Sequence, residues 1–379
     1  MMKRSIRGAV AAGAFAVAVP FATSSSAQYA NEPFFEWTVV MSQAFGLEMA
    51  QIRVNVLDAI EGEVDPDLIE VVEQMAKGDW ERFGGTLTER DPALAGELYE
   101  HLAAFEELLE EGESADYLIE PTRALLAQAY DLVIDPAIRE TAAFKGGVMA
   151  QLLLAEGGVA EGFEEAAEEI FAFSMGWGSL QRVKELWADV QGPATDDQKD
   201  EANQLLTILD TLYPTVNPPD PFVGFNPEEA EAPSQLFLGI IESATDASLY
   251  SGRDLARLSG HLVEVLTPAC GQVEAGQIDL AKESFYATAD HFLGETTGLA
   301  DLLNLFAPEL YEEAEAIFPH FVLLEEEEEG EEDESAGAAP AGAPAAEEED
   351  EEEIEFETPL DACNAMIEVL TEARTVLGG

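Results

Sequence analysis

Residues 34–60 read FFEWTVVMSQAFGLEMAQIRVNVLDAI, and this segment decides the fold class. Its large apolar residues recur at steps of three and four positions, which places them on one stripe of an α-helix. These residues are Phe34, Trp37, Met41, Phe45, Met49, Ile52 and Ile60. We therefore predict a long first helix that buries one face.

Helix signals continue through the chain, whereas strand signals are nearly missing. Val, Ile and Thr rarely alternate with polar residues, and no Asn-Gly or Asp-Gly hairpin turn is found. A capping side chain stands before a proline, the pattern of a helix start, at Asp65-Pro66, Asp91-Pro92, Asp135-Pro136 and Asn226-Pro227. The sequence predicts an all-α protein.

Proline and glutamate divide the predicted helices into units. The Pro-rich stretch 214–233 predicts a linker between an N-terminal helical bundle, 28–213, and a C-terminal bundle, 234–379. Glutamate runs at 325–353 predict a disordered acidic insertion, after which a final helix folds back. Gly78-Asp79-Trp80 is echoed by Gly276-Gln277-Ile278-Asp279, which indicates two related antiparallel bundles, although chance similarity between helices explains it equally well.

One predicted helix, 138–173, contains two adjacent glycines and a group of glutamates. Gly157 and Gly158 each disfavour a helix, so we expect a kink or close packing there. Glu161 and Glu165 then fall on one stripe and could hold a hard cation through carboxylate oxygens. A solvated acidic face is the alternative.

The charge of the chain is extreme, with 78 Asp and Glu residues against 17 Lys and Arg residues and a formal net charge of −61. Like charges repel over a Debye length of about 10 Å at 0.1 M salt but only about 3 Å at 1 M. We expect a halophilic protein surrounded by the bulk cations of brine. Nucleic acid is excluded as a partner.

The first 27 residues predict a secretory signal peptide. A basic start, the apolar run 8–22 and small residues up to Ala27 are its three parts. We expect export to the periplasm, the cell surface or the medium, with an uncleaved anchor as the alternative. In an oxidising compartment the two cysteines, Cys270 and Cys363, should form one disulfide. The absence of C-x-x-C-H argues against covalently attached haem.

Three of the four histidines have a glutamate three or four positions away, and for His101 it is Glu97, four positions before it. Glu264 follows His261 by three positions, and Glu295 follows His291 by four. Each pair would present a nitrogen and an oxygen on one helical face, half of a site for iron, zinc or copper. We predict the four residues of the latter two pairs as the first-choice metal ligands and Glu161 and Glu165 as second choices. Incidental pairing in so acidic a chain is the alternative.

Two stretches resemble the exported helical domains that accompany bacterial and archaeal iron permeases and, more distantly, imelysin-like proteins. They are KGDWERFGGTLTERDPALAGELYEHLAAFEELL from Lys77 and LLLAEGGVAEGFEEAAEEIFAFSMGWGSLQRVKELW from Leu152. The resemblance implies a duplicated all-helical fold that captures iron outside the membrane and delivers it to a permease. The imelysin signature has glycine two residues before its histidine, whereas here Gly260 is adjacent to His261.

The sequence contains no motif typical of an enzyme. G-x-S-x-G, H-E-x-x-H, a phosphate-binding glycine loop and a dinucleotide fingerprint are all missing. We therefore predict a secreted, non-enzymatic protein that binds a metal cation, most simply iron, as an accessory to uptake by a membrane permease, without haem or nucleotide. The competing hypothesis is a structural or protein-interaction module of the cell envelope that binds no ligand.

Overall fold

A computed structural model describes residues 38–60, 77–110, 116–155, 157–167, 170–219, 226, 228–247, 249, 255–293, 298–322, 356 and 358–378. These residues form helices and turns with no strand among them, which confirms the all-α prediction. The predicted signal peptide, 1–27, and acidic insertion, 325–353, lie outside them. Within the described ranges, no helix has both the length and the apolar composition needed to cross a membrane.

The α-helices of the described residues are numbered here in chain order. They are α1 (Thr38–Ala59), α2 (Gly84–Arg90), α3 (Pro92–Glu110), α4 (Asp116–Val133), α5 (Pro136–Arg139), α6 (Ala142–Leu154), α7 (Glu161–Glu164), α8 (Ile170–Val190), α9 (Asp196–Leu212), α10 (Glu228–Thr245), α11 (Leu255–Glu274), α12 (Ile278–Leu293), α13 (Leu299–Phe306), α14 (Pro308–Ile317), α15 (Pro319–Val322) and α16 (Pro359–Gly378).

The first helix lies at the centre of the molecule. It packs against α4, α6, α8 and α12, so its burial extends well beyond the single stripe that the sequence predicted. Even the charged side chains of Glu48 and Arg53 are buried. A buried charge is costly unless it is paired, so α1 must meet polar partners on neighbouring helices.

Two of the predicted helix starts have the expected caps. The Asp135 carboxylate accepts a hydrogen bond from the Ala137 amide at 2.8 Å, directly before α5. The Asp91 carboxylate accepts one from Leu94 at 3.1 Å, before α3. Each cap gives a partner to an amide that the first turn of a helix otherwise leaves without one.

The continuous helix predicted over 138–173 is wrong, because the chain turns after α6. Gly157 adopts a left-handed conformation with φ of 71°. A Cβ on Gly158 would lie 2.6 Å from the Ala155 carbonyl oxygen, so only glycine fits this turn. Glu161 therefore begins the short helix α7, and Glu165 begins a 3₁₀ turn, 165–167, so they do not share one long helical stripe.

The buried apolar residues form two clusters along the chain. The first runs from Met41 to Leu249, and the second from Leu255 to Ala373. Helix α10 contains Pro233 and packs on α6 and α9, within the first cluster. The linker predicted at 214–233 therefore ends before residue 228, and the change from one core to the other falls after Leu249.

The second core is a bundle in which α11 packs along both α12 and α16. A disulfide joins Cys270 of α11 to Cys363 of α16, with their Cα atoms 5.8 Å apart. This confirms the predicted bridge and the return of the final helix. Between the two cores, α12 packs on α1 and α2, and this contact holds the polar groups described next.

Candidate functional site

A layer of buried polar side chains lies where the two cores meet, and we call it the polar seam. It is built around the sequence GDWERFGGT, residues 78–86, whose side chains reach both α1 and α12. The seam comprises Ser42, Gln43, Arg53, Asp79, Glu81, Arg82, Thr86, Lys282, Glu283 and Asp290.

Three ion pairs form the charged part of the polar seam. Arg53 pairs with Asp79, and both side chains are buried. The Lys282 Nζ donates to Glu81 Oε1 at 2.9 Å, and these side chains are 3% and 6% exposed. Because water is excluded from these pairs, the loss of one partner would leave a buried charge without compensation.

Arg82 forms the third pair, with Asp290 at 2.9 Å. Its guanidinium also lies 5.6 Å from the ring centre of Phe45 and 5.0 Å from that of Tyr286. The nearby carboxylates of Asp290 and Asp79 raise the pKa of Arg82 despite its burial. Asp290 further accepts a hydrogen bond from the Ser42 hydroxyl at 2.7 Å, which ties α12 to α1.

Glu283 is a carboxyl group of the polar seam whose pKa is strongly raised. It accepts hydrogen bonds from the Thr86 amide, from the Thr86 hydroxyl at 2.6 Å and from the Gln43 amide at 2.8 Å. Burial outweighs these bonds and raises its pKa to about 7. Glu283 therefore takes up or releases a proton near neutral pH at the contact between the two cores.

Glycines allow the backbones of the polar seam to come close together. A Cβ on Gly46 would lie 2.7 Å from the Asp79 carbonyl oxygen, and one on Gly85 would lie 2.6 Å from that of Asp279. Real Cβ atoms do not approach so closely, so these two positions accept only glycine without a backbone shift. The glycines thus fix the distance of α1 and α2 from their neighbours.

The two histidines that the sequence predicted as ligands lie on adjacent helices that pack on each other. His261 lies half-buried on α11 and His291 lies buried on the neighbouring helix α12. Burial lowers the pKa of His291 to about 4, and the nearby His261 lowers it further. The His291 Nδ1 lies 3.0 Å from the Ala287 carbonyl oxygen, so Nδ1 carries the proton and Nε2 carries the lone pair.

The predicted glutamate ligands do not join this histidine pair among the described residues. Glu264 is exposed, and Glu295 lies outside the described residues. Glu161 and Glu165 belong to the first core, where α7 packs on α8 and α10. Within the described ranges, no group of three or more His, Cys, Asp or Glu side chains is arranged to hold a metal ion.

The glycine next to His261 has a packing role. A Cβ on Gly260 would lie 3.0 Å from the guanidinium of Arg374, which reaches over from α16. Gly260, the residue at which this chain departs from the imelysin spacing, therefore lies where the final helix, α16, comes close to α11.

Comparisons with known proteins give no relative for this chain. No family model, no curated protein and no solved structure matches it. The resemblance to the exported domains of iron permeases stays a prediction, and the function must be argued from the residues alone.

Two of the surface cavities lined by described residues lie beside buried charged groups. The larger, of about 610 Å³, lies between 77–85, α3 and the start of α12, and its lining includes the polar-seam pair Glu81 and Lys282. The smaller, of about 430 Å³, lies beside Glu48, which Arg182 binds through two hydrogen bonds of 2.8 and 2.9 Å. Neither cavity is lined by His261 or His291.

Sequence reasoning missed the polar seam. Its members are scattered charges on three helical segments, and nothing in their spacing pairs Lys282 with Glu81. The signal that could have found it is GDWERFGG, because this short segment combines three charged residues with two adjacent glycines, ahead of the helix start predicted at Asp91.

Proposed function

We propose that this protein binds a metal cation outside the membrane and serves as an accessory to its uptake, with iron as the favoured ion. The observation that carries the proposal is the position of His261 and His291 on two adjacent helices, near enough for the charge of one to affect the pKa of the other. The protein would act without catalysis, exported through its N-terminal signal, and would pass the ion to a membrane permease.

His291 has the properties of a ligand at neutral pH. A metal binds the neutral imidazole, and a pKa of about 4 keeps His291 neutral over the whole physiological range. Its hydrogen bond to the Ala287 carbonyl fixes the ring and directs the lone pair to Nε2, which is how histidine ligands are commonly oriented. His261, half-buried on α11, is the second nitrogen ligand of the proposal. Its oxygen donors are those predicted from the sequence, Glu264, whose exposed side chain would have to turn toward the histidines, and Glu295.

An envelope module without a ligand is the second candidate. The polar seam favours it, because several buried ion pairs serve to hold two helical cores in one arrangement. In that case the histidine pair is a consequence of packing, and the partner is another envelope protein.

Calorimetric titration in molar salt separates the two candidates. We expect the parent protein to bind one ferrous, ferric, zinc or copper ion, and His261→Ala to bind it about tenfold more weakly or worse, since a ligand is lost. His101→Ala is the matched control, because His101 contacts Thr122 on the first core at 3.2 Å. Molar salt suppresses the general attraction of cations to the acidic surface.

A second substitution tests the buried histidine, His291. His291→Asn keeps a side chain that can donate to Ala287, so the fold should survive, as circular dichroism would show. If both His261→Ala and His291→Asn bind the four ions as tightly as the parent, the metal site is refuted and the envelope role is favoured.

A further inference from the structure

The larger cavity has a volume within the usual range for small-molecule sites, about 300–1,000 Å³. One wall is α3, where Ala95, Gly96 and Ala103 keep the space open. A Cβ on Gly96 would meet nothing within 4 Å. The opposite side is formed by residues 77–85 and by the first turn of α12.

An aromatic corner lines this cavity. The rings of Trp80 and Tyr99 meet edge to face with their centres 5.2 Å apart. Tyr99 is 55% exposed, although it is a large aromatic residue in a helix of the first core. Gly84 makes room for the indole, since a Cβ there would overlap the Trp80 ring. An apolar side chain of a ligand would cover both rings.

The charges of the cavity balance one another, in contrast to the chain as a whole. At the floor, Glu81 and Lys282 neutralise each other in a buried pair. At the rim lie the exposed side chains of Lys77 and Asp279, and neither forms an ion pair with another described residue. One positive and one negative group therefore remain for a ligand.

We propose that this cavity binds a zwitterionic amino acid with an apolar side chain. The carboxylate of the ligand pairs with Lys77, its ammonium group pairs with Asp279, and its side chain lies against Trp80 and Tyr99. A ligand with a single charge would satisfy only one of the two rim groups. This site is separate from the histidine pair, so its failure or success is independent of metal binding.

Three probes with the same ring test the proposal: L-phenylalanine, phenylpropionate, which lacks the amine, and phenethylamine, which lacks the carboxylate. Binding is measured by the shift of the Trp80 indole N–H in NMR spectra, assigned with Trp80→Phe. The titration uses the lowest salt at which the protein stays folded, because exposed ion pairs are screened. We expect L-phenylalanine to bind about threefold to fivefold more tightly than either analogue.

Two rim substitutions make the test reciprocal. Lys77→Met should reduce the affinity for L-phenylalanine to that for phenethylamine, and it should leave the affinity for phenethylamine unchanged. Asp279→Asn should reduce the affinity for L-phenylalanine to that for phenylpropionate, and it should leave the affinity for phenylpropionate unchanged. Both positions are exposed, so neither change threatens the fold.

Two further variants test the location of the site. Gly96→Leu should fill the cavity and abolish binding, whereas Gly239→Leu, at an exposed glycine of α10 with equally open space, should have no effect. Tyr99→Leu should weaken all three probes, and Tyr117→Leu, at a residue 66% exposed, is its control. The proposal is overturned if an analogue binds as tightly as L-phenylalanine, if Gly96→Leu still binds, or if no probe binds.

Discussion

The ion pairs of the polar seam and those of the surface differ in how far they are removed from water. In the polar seam, the side chains of Lys282 and Glu81 are 3% and 6% exposed. On the surface, those of Arg123 and Asp58 are 26% and 51% exposed at a similar distance of 2.8 Å. The geometry is alike, so the difference in energy comes from the surroundings.

This difference shows where a chain with few Lys and Arg residues gains the most stability from an ion pair. A surface pair contributes about 0–1 kcal/mol and is screened by salt, whereas a buried pair is screened much less. In brine the surface carboxylates interact mainly with solvent and ions. We expect the ion pairs of the polar seam to depend less on salt concentration than those of the surface.

Removing one partner of a buried pair should have the largest effect. Lys282→Met leaves the Glu81 carboxylate buried beside an apolar chain, so we expect the free energy of unfolding to fall by about 3–5 kcal/mol. Denaturant unfolding in molar salt measures it. Lys184→Met is the matched control, since Lys184 binds the more exposed Asp210 at 2.8 Å. Equal losses in the two variants would contradict the distinction between polar seam and surface.

The next effect is a dependence of stability on pH at Glu283. Its pKa rises from 4.5 in a solvated state to about 7 in the folded protein. The folded state therefore holds more protons between these values, and the free energy of unfolding falls as pH rises through them, by about 3 kcal/mol in total. Glu283→Gln cannot ionise and should lack this loss.

The experiment compares unfolding of Glu283→Gln and of the parent protein across that pH range. The lowered pKa of His291 has the opposite effect, since the unfolded state then takes up a proton as pH falls from 6.5 to about 4. Both proteins contain His291, so the difference between them isolates Glu283. Glu264→Gln, at an exposed position, is the control. Parallel pH profiles for Glu283→Gln and the parent would show that Glu283 is ionised in the fold.

The smallest effect is expected at the surface. Arg123→Ala removes hydrogen bonds to Asp58 and Glu120, both exposed, and should cost less than about 1 kcal/mol in dilute salt. In molar salt the cost should approach zero because the charges are screened. A loss that persists undiminished in molar salt would place this pair with those of the polar seam.

Local signals predicted much of the fold. The caps at Asp91 and Asp135 and the disulfide between Cys270 and Cys363 follow from short-range patterns or from cysteine number, and the structure has them. The break at Gly157 was underestimated, because helix propensity alone does not distinguish a kink from a full turn. The place where one core gives way to the other was missed, since proline density at 214–233 does not reveal which helices pack together.

The candidate site was less predictable for a physical reason. His261 and His291 were chosen as ligands from their own helices, yet what brings them together is the packing of α11 on α12. Lys282 and Glu81 are 201 positions apart, so their pairing depends on the assembled fold. Residues far apart in the chain carry no mutual signal in a single sequence.

The disulfide between α11 and α16 has a consequence for the integrity of the chain. A single backbone cleavage anywhere between Cys270 and Cys363 would yield two fragments that remain covalently joined. The last helix would stay on its bundle, and the nicked molecule would separate into two bands only after reduction. A protein exposed to foreign proteases could thus be cut once in that interval without losing its C-terminal part.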